Sequence, residues 1–470
     1  MSIPRLNGAG VAPHPLTKPF AGCGDLARAR SGGTFRSGIT LRSTMGGNDQ
    51  MSPAGAAASA GARPAAGQPR GAILRLLRTP DFRRLWLLGG IANAMRWLEM
   101  LAASLWTFEV TQSALAVAAV TMMRALPMLL LGAVAGVLAE RFDRRRLLVF
   151  LQSTSAAGAG AVAILAALGW LAPWHLMGQG LLAGLAWAGE MATRRRMVAD
   201  AAPPEDLVSA VALDTMTGST TRAIGPLLGG ALFQWVGLPV AAGIACAFHL
   251  AALLLVLRVT PPPRPARAGG RGALAGIAEA ARLVAATPAL RMVILVTLVM
   301  NVFAFAYGAI LPAFGAIAFG VSGAAVGLLA AAEPLGALVG GLWLALGPRT
   351  RPGTGPLVAG SLLFLVLMMG VAFSPSYLLA WALLALGGLG TARFGAMQTS
   401  VVMTTAPVEI RSRVLGLVTT CIGMSPVGVL TIGALSDAFG PRLAILVMGG
   451  TGLTWMLLIL IAERRAALRA

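Results

Sequence analysis

From Arg83 to the C-terminus the chain consists of apolar runs long enough to cross a bilayer, separated by short connectors. The runs fall at about 84–108, 113–138, 147–169, 174–195, 208–236, 238–257, 289–318, 322–346, 355–373, 377–403, 410–436 and 440–462. A hydrocarbon layer is roughly 30 Å thick and takes about 20 helical residues to span, so each run predicts a transmembrane helix. Spanning strands would show segments of about ten residues alternating in polarity, and the sequence has none. A soluble domain is excluded as well, because 57% hydrophobic and 11% charged residues leave too little polar surface to face water.

The formal charge of +20 is carried by arginine, Lys18 being the only lysine. Arg83 and Arg84, the cluster from Arg141 to Arg146, Arg194 to Arg196, Arg258 with Arg264, Arg267 and Arg271, Arg349 with Arg351, and Arg411 with Arg413 fall on alternate connectors. Arginine-rich connectors stay on the cytoplasmic side, which puts both termini in the cytoplasm of a multi-pass inner-membrane protein with the lipid bilayer as its solvent. The 436–440 turn, flanked by Asp437 and Arg442, fits this sorting least well. No basic face with interleaved aromatics exists, so a nucleic-acid partner is excluded. Cys23, Cys246 and Cys421 lack metal-ligand spacing. His175 and His249 are isolated in sequence, and no HExxH, GxSxG or Walker motif occurs. Neither enzyme chemistry nor a metal or cofactor is expected.

Residues 1–70 have no hydrophobic period and are expected to be a disordered extension. The Pro/Gly-rich stretch Pro261–Gly276 separates six runs from six. The expected units are a six-helix bundle at 71–257, a cytoplasmic linker at 258–288 and a second bundle at 289–470. A repeat relates them. GVLAE at Gly136, GALFQ at Gly230, GLWLA at Gly341 and GALSD at Gly433 each close a helix, and Gly136 to Gly341 and Gly230 to Gly433 are offset by 205 and 203 residues. All-α architecture follows, with twelve transmembrane helices in two pseudo-symmetric bundles.

The stretch GVLAERFDRRRLL resembles the loop between the second and third helices of the major facilitator superfamily, whose pattern is Gly-x-x-x-Asp-Arg-x-Gly-Arg-Arg. The match holds at Gly136, Arg141, Arg144 and Arg145, while Glu140 stands for Asp and Asp143 for Gly. LRTPDFRRLWLLGGIANAMRW, MRALPMLLLGAVAG and APVEIRSRVLGL add to the resemblance, which covers roughly Leu74 to Ile461 and is nearest to the bacterial efflux permeases of the enterobactin-exporter and macrolide-efflux type. It implies the MFS fold and a gating loop in which Glu140 latches onto the start of the eleventh helix. Gly225, Pro226, Gly229 and Gly230 in AIGPLLGG resemble half of the fifth-helix motif of proton-coupled antiporters.

A charge at bilayer depth costs about 2.5–3.5 kcal/mol on insertion scales, so each one signals a partner or a cavity. Arg96 and Glu99 stand three apart on one helical face, as a local ion pair or as part of a proton pathway with Arg124, Asp214, Arg222 and Glu333. Trp97, Phe305 and Tyr307, on corresponding first and seventh helices, are candidates to line the cavity. The expected activity is secondary active export of an amphipathic small molecule in exchange for protons, by a monomer working through alternating access. An importer or lipid-handling permease of the same fold is the alternative, and a membrane-embedded enzyme a remote one.

Overall fold

The computed structural model describes residues 69–141, 143–260, 273–346, 352–408 and 410–469. All but the last two residues of the 1–70 extension lie outside them. A short helix α1 (Pro69–Arg78) leads into α2 (Pro80–Thr111), α3 (Ala114–Arg141), α4 (Arg144–Ala167), α5 (Pro173–Ala201) and α6 (Leu207–Leu257). The second half holds α7 (Ala273–Ala286), α8 (Pro288–Val299), α9 (Leu311–Phe319), α10 (Gly323–Leu346) and α11 (Thr354–Phe373). It ends with α12 (Tyr377–Thr405), α13 (Arg411–Ile422), α14 (Ser425–Phe439) and α15 (Pro441–Arg469). No strand occurs among the described residues.

The rods match the apolar runs. In α6, Gly237 has φ 75° and ψ 171°, a conformation that favours glycine, and Pro239 withholds an N–H just beyond it. The chain therefore turns back at Gly237 and α6 is two crossings. One crossing, Pro288–Phe319, joins α8 to α9 through a π turn at Met300–Ala304 and a 3-10 turn at Phe305–Ile310. Another, Arg411–Phe439, joins α13 to α14. Eight helices are long and apolar enough to cross a membrane with α6 counted once. Adding its second arm, the apolar α3 and the more charged α2 and α5 gives twelve among the described residues. The 258–288 stretch is not a plain linker, because it contains α7, whose Glu279 lies 2.5 Å from Arg413 Nη1 on α13.

Helices in lipid gain little from the hydrophobic effect on meeting one another, so close approach of small residues decides where they touch. The halves meet along α6 against α10 and α3 against α14. At the first contact, any Cβ on Gly230 would strike the Gly323 carbonyl, and one on Gly327 the Pro226 carbonyl. At the second, Gly433 lies against Ala118 and the start of α3. Two side chains fasten these contacts at one end of the molecule. Asp437 Oδ1 accepts from the Ala114 N–H at 2.6 Å, and its Oδ2 accepts from the Ser113 hydroxyl at 2.5 Å and the Leu115 N–H at 3.2 Å, so a carboxylate of α14 caps α3. Gln234 Oε1 of α6 accepts from the Ala324 N–H at the start of α10, at 2.8 Å. Opening N–H groups of a helix lack internal partners and favour negative charge. Asp437 and Gln234 are the fourth residues after Gly433 and Gly230, the place that Glu140 holds after Gly136.

α1 is tied to the opposite end. Arg75 donates from Nε and Nη2 to Asp206 Oδ2 and Oδ1 at 2.9 and 2.6 Å. The guanidinium holds the Asp206 carboxyl below the usual carboxylate range. A depressed carboxyl stabilises above its unfolded value and ceases to do so as pH falls through the folded one. Protection of the α1 amides against hydrogen exchange, taken relative to the intrinsic rate at each pH, should thus be steady from neutral pH to about 5 and fall below about 4, near the unperturbed carboxyl value. In Asp206→Asn the protection should be low at every pH, and equal profiles in the two proteins would contradict the tie.

Candidate functional site

A cavity of 260 Å³ lies on the arginine-rich side of the first half, away from the Asp437 end. Asn93, Arg96 and Trp97 of α2, Trp187, Glu190 and Arg194 of α5, and Asp214 and Arg222 of α6 are on its wall. Apolar spans place these polar side chains inward because lipid offers them no partner.

Arg96 and Glu99 are not paired with each other. Arg96 Nη2 lies 3.2 Å from Glu190 Oε2, its Nη1 donates to Asn93 Oδ1 at 2.7 Å, and its guanidinium sits 5.0 Å from the Trp187 ring centre. Arg194 continues the chain, with Nε 3.4 Å from Glu190 Oε1 and Nη1 2.6 Å from Asp214 Oδ1. Alternating charges thereby run from α2 through α5 to α6. Glu99 reaches the other way, into the interior of the half. Its Oε2 meets Arg124 Nη2 at 3.3 Å and Gln179 Nε2 at 3.1 Å, and its Oε1 lies 3.1 Å from His249 Nε2. Arg124 Nη1 also donates to the Arg96 carbonyl at 2.9 Å. A three-residue spacing aligns two Cα–Cβ bonds, but long side chains diverge when each has a nearer opposite charge on a neighbouring helix.

The remaining pair crosses between halves. Arg222 Nη2 of α6 lies 2.5 Å from Glu333 Oε2 of α10. Glu333 is 2% exposed and also accepts from the Thr391 hydroxyl of α12 at 2.5 Å, while Arg222 is 38% exposed towards the cavity and 5.9 Å from the Trp97 ring centre. Of the three aromatic candidates only Trp97 is on the cavity wall. Phe305 packs on Phe364 and Phe394, and Tyr307 on Phe364, within the second half. The π and 3-10 turns at Met300–Ile310 interrupt the α-helix there, a break that α2 does not have.

In the gating loop, Gly136, Glu140 and Arg141 have side chains outside the described residues. Asp143 takes extended φ and ψ and accepts from the Arg146 N–H at 2.9 Å, capping α4, so the position held by glycine in the family pattern serves here as a helix cap. Arg144 pairs with Asp200 at 2.8 Å, and Arg145 donates to the Val256 and Leu257 carbonyls. Gly225 and Gly229 let α6 lie against Trp97 and Leu98 of α2, and Gly230 brings it against α10 beside Pro226, so the glycine-rich motif is built into two helix contacts. No group of three or more potential metal ligands exists among the described residues.

These inward charges, cross-half contacts and twelve rods coincide with a family profile described as transmembrane secretion effector, matched over residues 73–470. The chain belongs to that family. It is therefore a multi-pass membrane transporter of the MFS type, and not an enzyme. The enterobactin exporter EntS of Citrobacter koseri is 31% identical over 346 residues, 71% of this chain and 80% of that protein. EntS of Salmonella typhi is 29% identical over 341 residues, 70% and 79% of the two chains. Among solved structures, a mutant form of the nucleoside transporter NupG matches with TM-score 0.65 at 14% identity, covering 81% of this chain and 99% of that one. A bacterial homologue of the human lysosomal transporter Spinster, inward-facing and unoccupied, matches with TM-score 0.63 at 16% identity, over 82% and 97%. Likeness at such identities concerns the fold alone.

Proposed function

We propose that the protein is a proton-coupled exporter of an amphipathic small molecule in the inner membrane, working as a monomer with both termini in the cytoplasm. The bundles 71–257 and 289–470 rock about the α6–α10 and α3–α14 contacts, and the 258–288 connector tethers them. Export is the activity in the name of the EntS relatives. The observation that carries the reading is the Arg222–Glu333 pair, a buried carboxylate of one half held by a cation that borders the cavity of the other. Protonating such a carboxylate releases its cation, so charge at this contact and the relative position of the halves are linked. Asp437 and Gln234 hold the outer ends together in the cytoplasm-facing state, and the gating loop at Gly136 to Arg145 holds the inner ends in the other.

Inside-out vesicles with an acidified lumen test this reading. At least one amphipathic compound of a broad panel should accumulate, and a protonophore should abolish the accumulation. Glu99→Gln should lower gradient-driven accumulation about ten-fold, in the range of ordinary coupling energies, while leaving compound exchange without a gradient intact. If no compound responds to the gradient, proton exchange is wrong.

A further inference from the structure

His249 is buried in the second arm of α6, within the otherwise apolar run HLAALLLVL. Its ring spans two helices, with Nδ1 3.2 Å from Gln152 Oε1 on α4 and Nε2 3.1 Å from Glu99 Oε1 on α2. The other carboxylate oxygen of Glu99 faces Arg124 of α3 and Gln179 of α5. Among the described residues, Arg124 is thus the one further charged group in contact with the pair. The nearby guanidinium of Arg96 is turned away to Glu190.

Both ring nitrogens face oxygen acceptors. A neutral imidazole has one N–H and leaves its other nitrogen lone pair opposite an acceptor. One additional proton, as a second N–H or as an O–H on Glu99, satisfies both contacts. A Gln152 amide turned by 180° would satisfy them with a neutral ring, so the proton count is the quantity to measure.

Two small voids adjoin this cluster. One of 20 Å³ is bounded by Glu99 and Gln179 together with Ala102, Ala159, Leu238 and Ala242. The other, of 10 Å³, is bounded by Arg124, Gln179, Ser104 and Thr121. One water needs about 10–15 Å³ and polar partners, which both supply. Ala102, Ser104, Thr121 and Leu238 lie beyond Glu99 towards Thr111, Ala114 and Gly237, where Asp437 and Gln234 join the halves. The 260 Å³ cavity is on the opposite side, at Arg96 and Glu190.

We propose that Glu99 and His249 form a single proton-binding site, loaded from the Asp437 end through the interior of the first half and apart from the substrate cavity. Loading breaks an O–H bond of an incoming hydrated proton and forms one N–H or O–H bond at the pair, with no redox change. Arg124 and Gln179 orient the carboxylate, and Gln152 fixes the ring. The site rests on the proton-coupled reading above and adds to it an imidazole and a separate route.

Nuclear magnetic resonance of the full chain with 15N-labelled histidine, in nanodiscs, reads the site directly. The sequence has three histidines, and His249→Asn assigns the signal. His249 should gain a second ring proton, or share one with Glu99, in a single titration whose midpoint moves by about one pH unit or more in Glu99→Gln. Ala242→Leu fills the larger void and should slow proton uptake after a pH jump about ten-fold, the effect of roughly 1.4 kcal/mol on a barrier, without altering compound binding. A ring that stays neutral in one tautomer with neither nitrogen signal moving from pH 5 to 9 would overturn the proposal, since an O–H donated by Glu99 would still shift the Nε2 signal, and the wild-type spectrum alone decides this if Glu99→Gln fails to accumulate. Gradient-driven transport with a non-titrating His249 removes this site only. A shared proton in a protein that ignores the gradient removes the coupling reading and leaves the site.

Discussion

Arg222→Ala should destabilise the protein by about 3–5 kcal/mol, the cost of leaving one member of a buried ion pair without its partner. Glu333 is 2% exposed and draws its partners from the protein, and of these the Thr391 hydroxyl alone would remain. Glu333→Gln should behave differently. The amide keeps an acceptor for Thr391 and leaves Arg222, which borders the cavity, free to hydrate, so the melting temperature should change little while gradient-driven transport is lost. Combining Arg222→Met with Glu333→Leu should recover the stability but not the transport, because apolar side chains can replace a buried pair without replacing its proton chemistry. Thermal unfolding in detergent and vesicle transport, measured on the same four proteins, check this. Equal stability of Arg222→Ala and wild type would show that the pair is not closed in the membrane.

Gly327→Leu should drive the outer ends of the halves apart. Even a Cβ at this position meets the Pro226 carbonyl and the Gly230 backbone, and backbone cannot swing aside as a side chain can. Overpacking of this kind costs about 1–3 kcal/mol in the state that contains the contact, a shift of roughly ten-fold or more in favour of the parted state. Asp437→Ala should act in the same direction by removing the acceptor of two N–H groups and a hydroxyl at the start of α3. A cysteine at Ala114, which is 2% exposed beneath Asp437, reports the outcome once Cys23, Cys246 and Cys421 are replaced. Its reaction with an impermeant thiol reagent should be about ten-fold faster in Gly327→Leu. An unchanged rate would mean that this contact does not gate access.

The rods were legible in the sequence because lipid imposes one rule on every crossing, that apolar length must match bilayer thickness. Even the turn inside α6 could be placed, at Gly237. The partners of the inward charges were not legible. Spacing puts Arg96 and Glu99 on one face, but Glu190, ninety-odd residues away, and His249 on a later helix decide the pairing. His249, Gln152 and Gln179 were overlooked as single polar residues in apolar spans. The signal was their burial cost, which applies to an uncharged amide or imidazole as well as to an ion. The 436–440 turn fitted the charge sorting least well, and the reason is physical: its Asp437, although exposed, caps the first turn of α3 in the other half. The four-residue interval shared by Gly433 and Asp437, Gly230 and Gln234, and Gly136 and Glu140 was present in the repeat, but only the three-dimensional contacts give it meaning. At Phe305 and Tyr307 the sequence repeat did not disclose the π and 3-10 turns, nor the packing of both rings on Phe364.

Distances between spin labels at both ends of the molecule, measured by electron resonance in nanodiscs, test alternating access most directly. One pair joins Val110 to Phe439 at the Asp437 end, and the other joins Leu257 to Met403 at the arginine-rich end, all exposed positions. On passing from wild type to Gly327→Leu, the first pair should separate and the second should approach. Two distances that stay fixed, or that change in the same sense, would contradict rocking of two halves about a shared cavity.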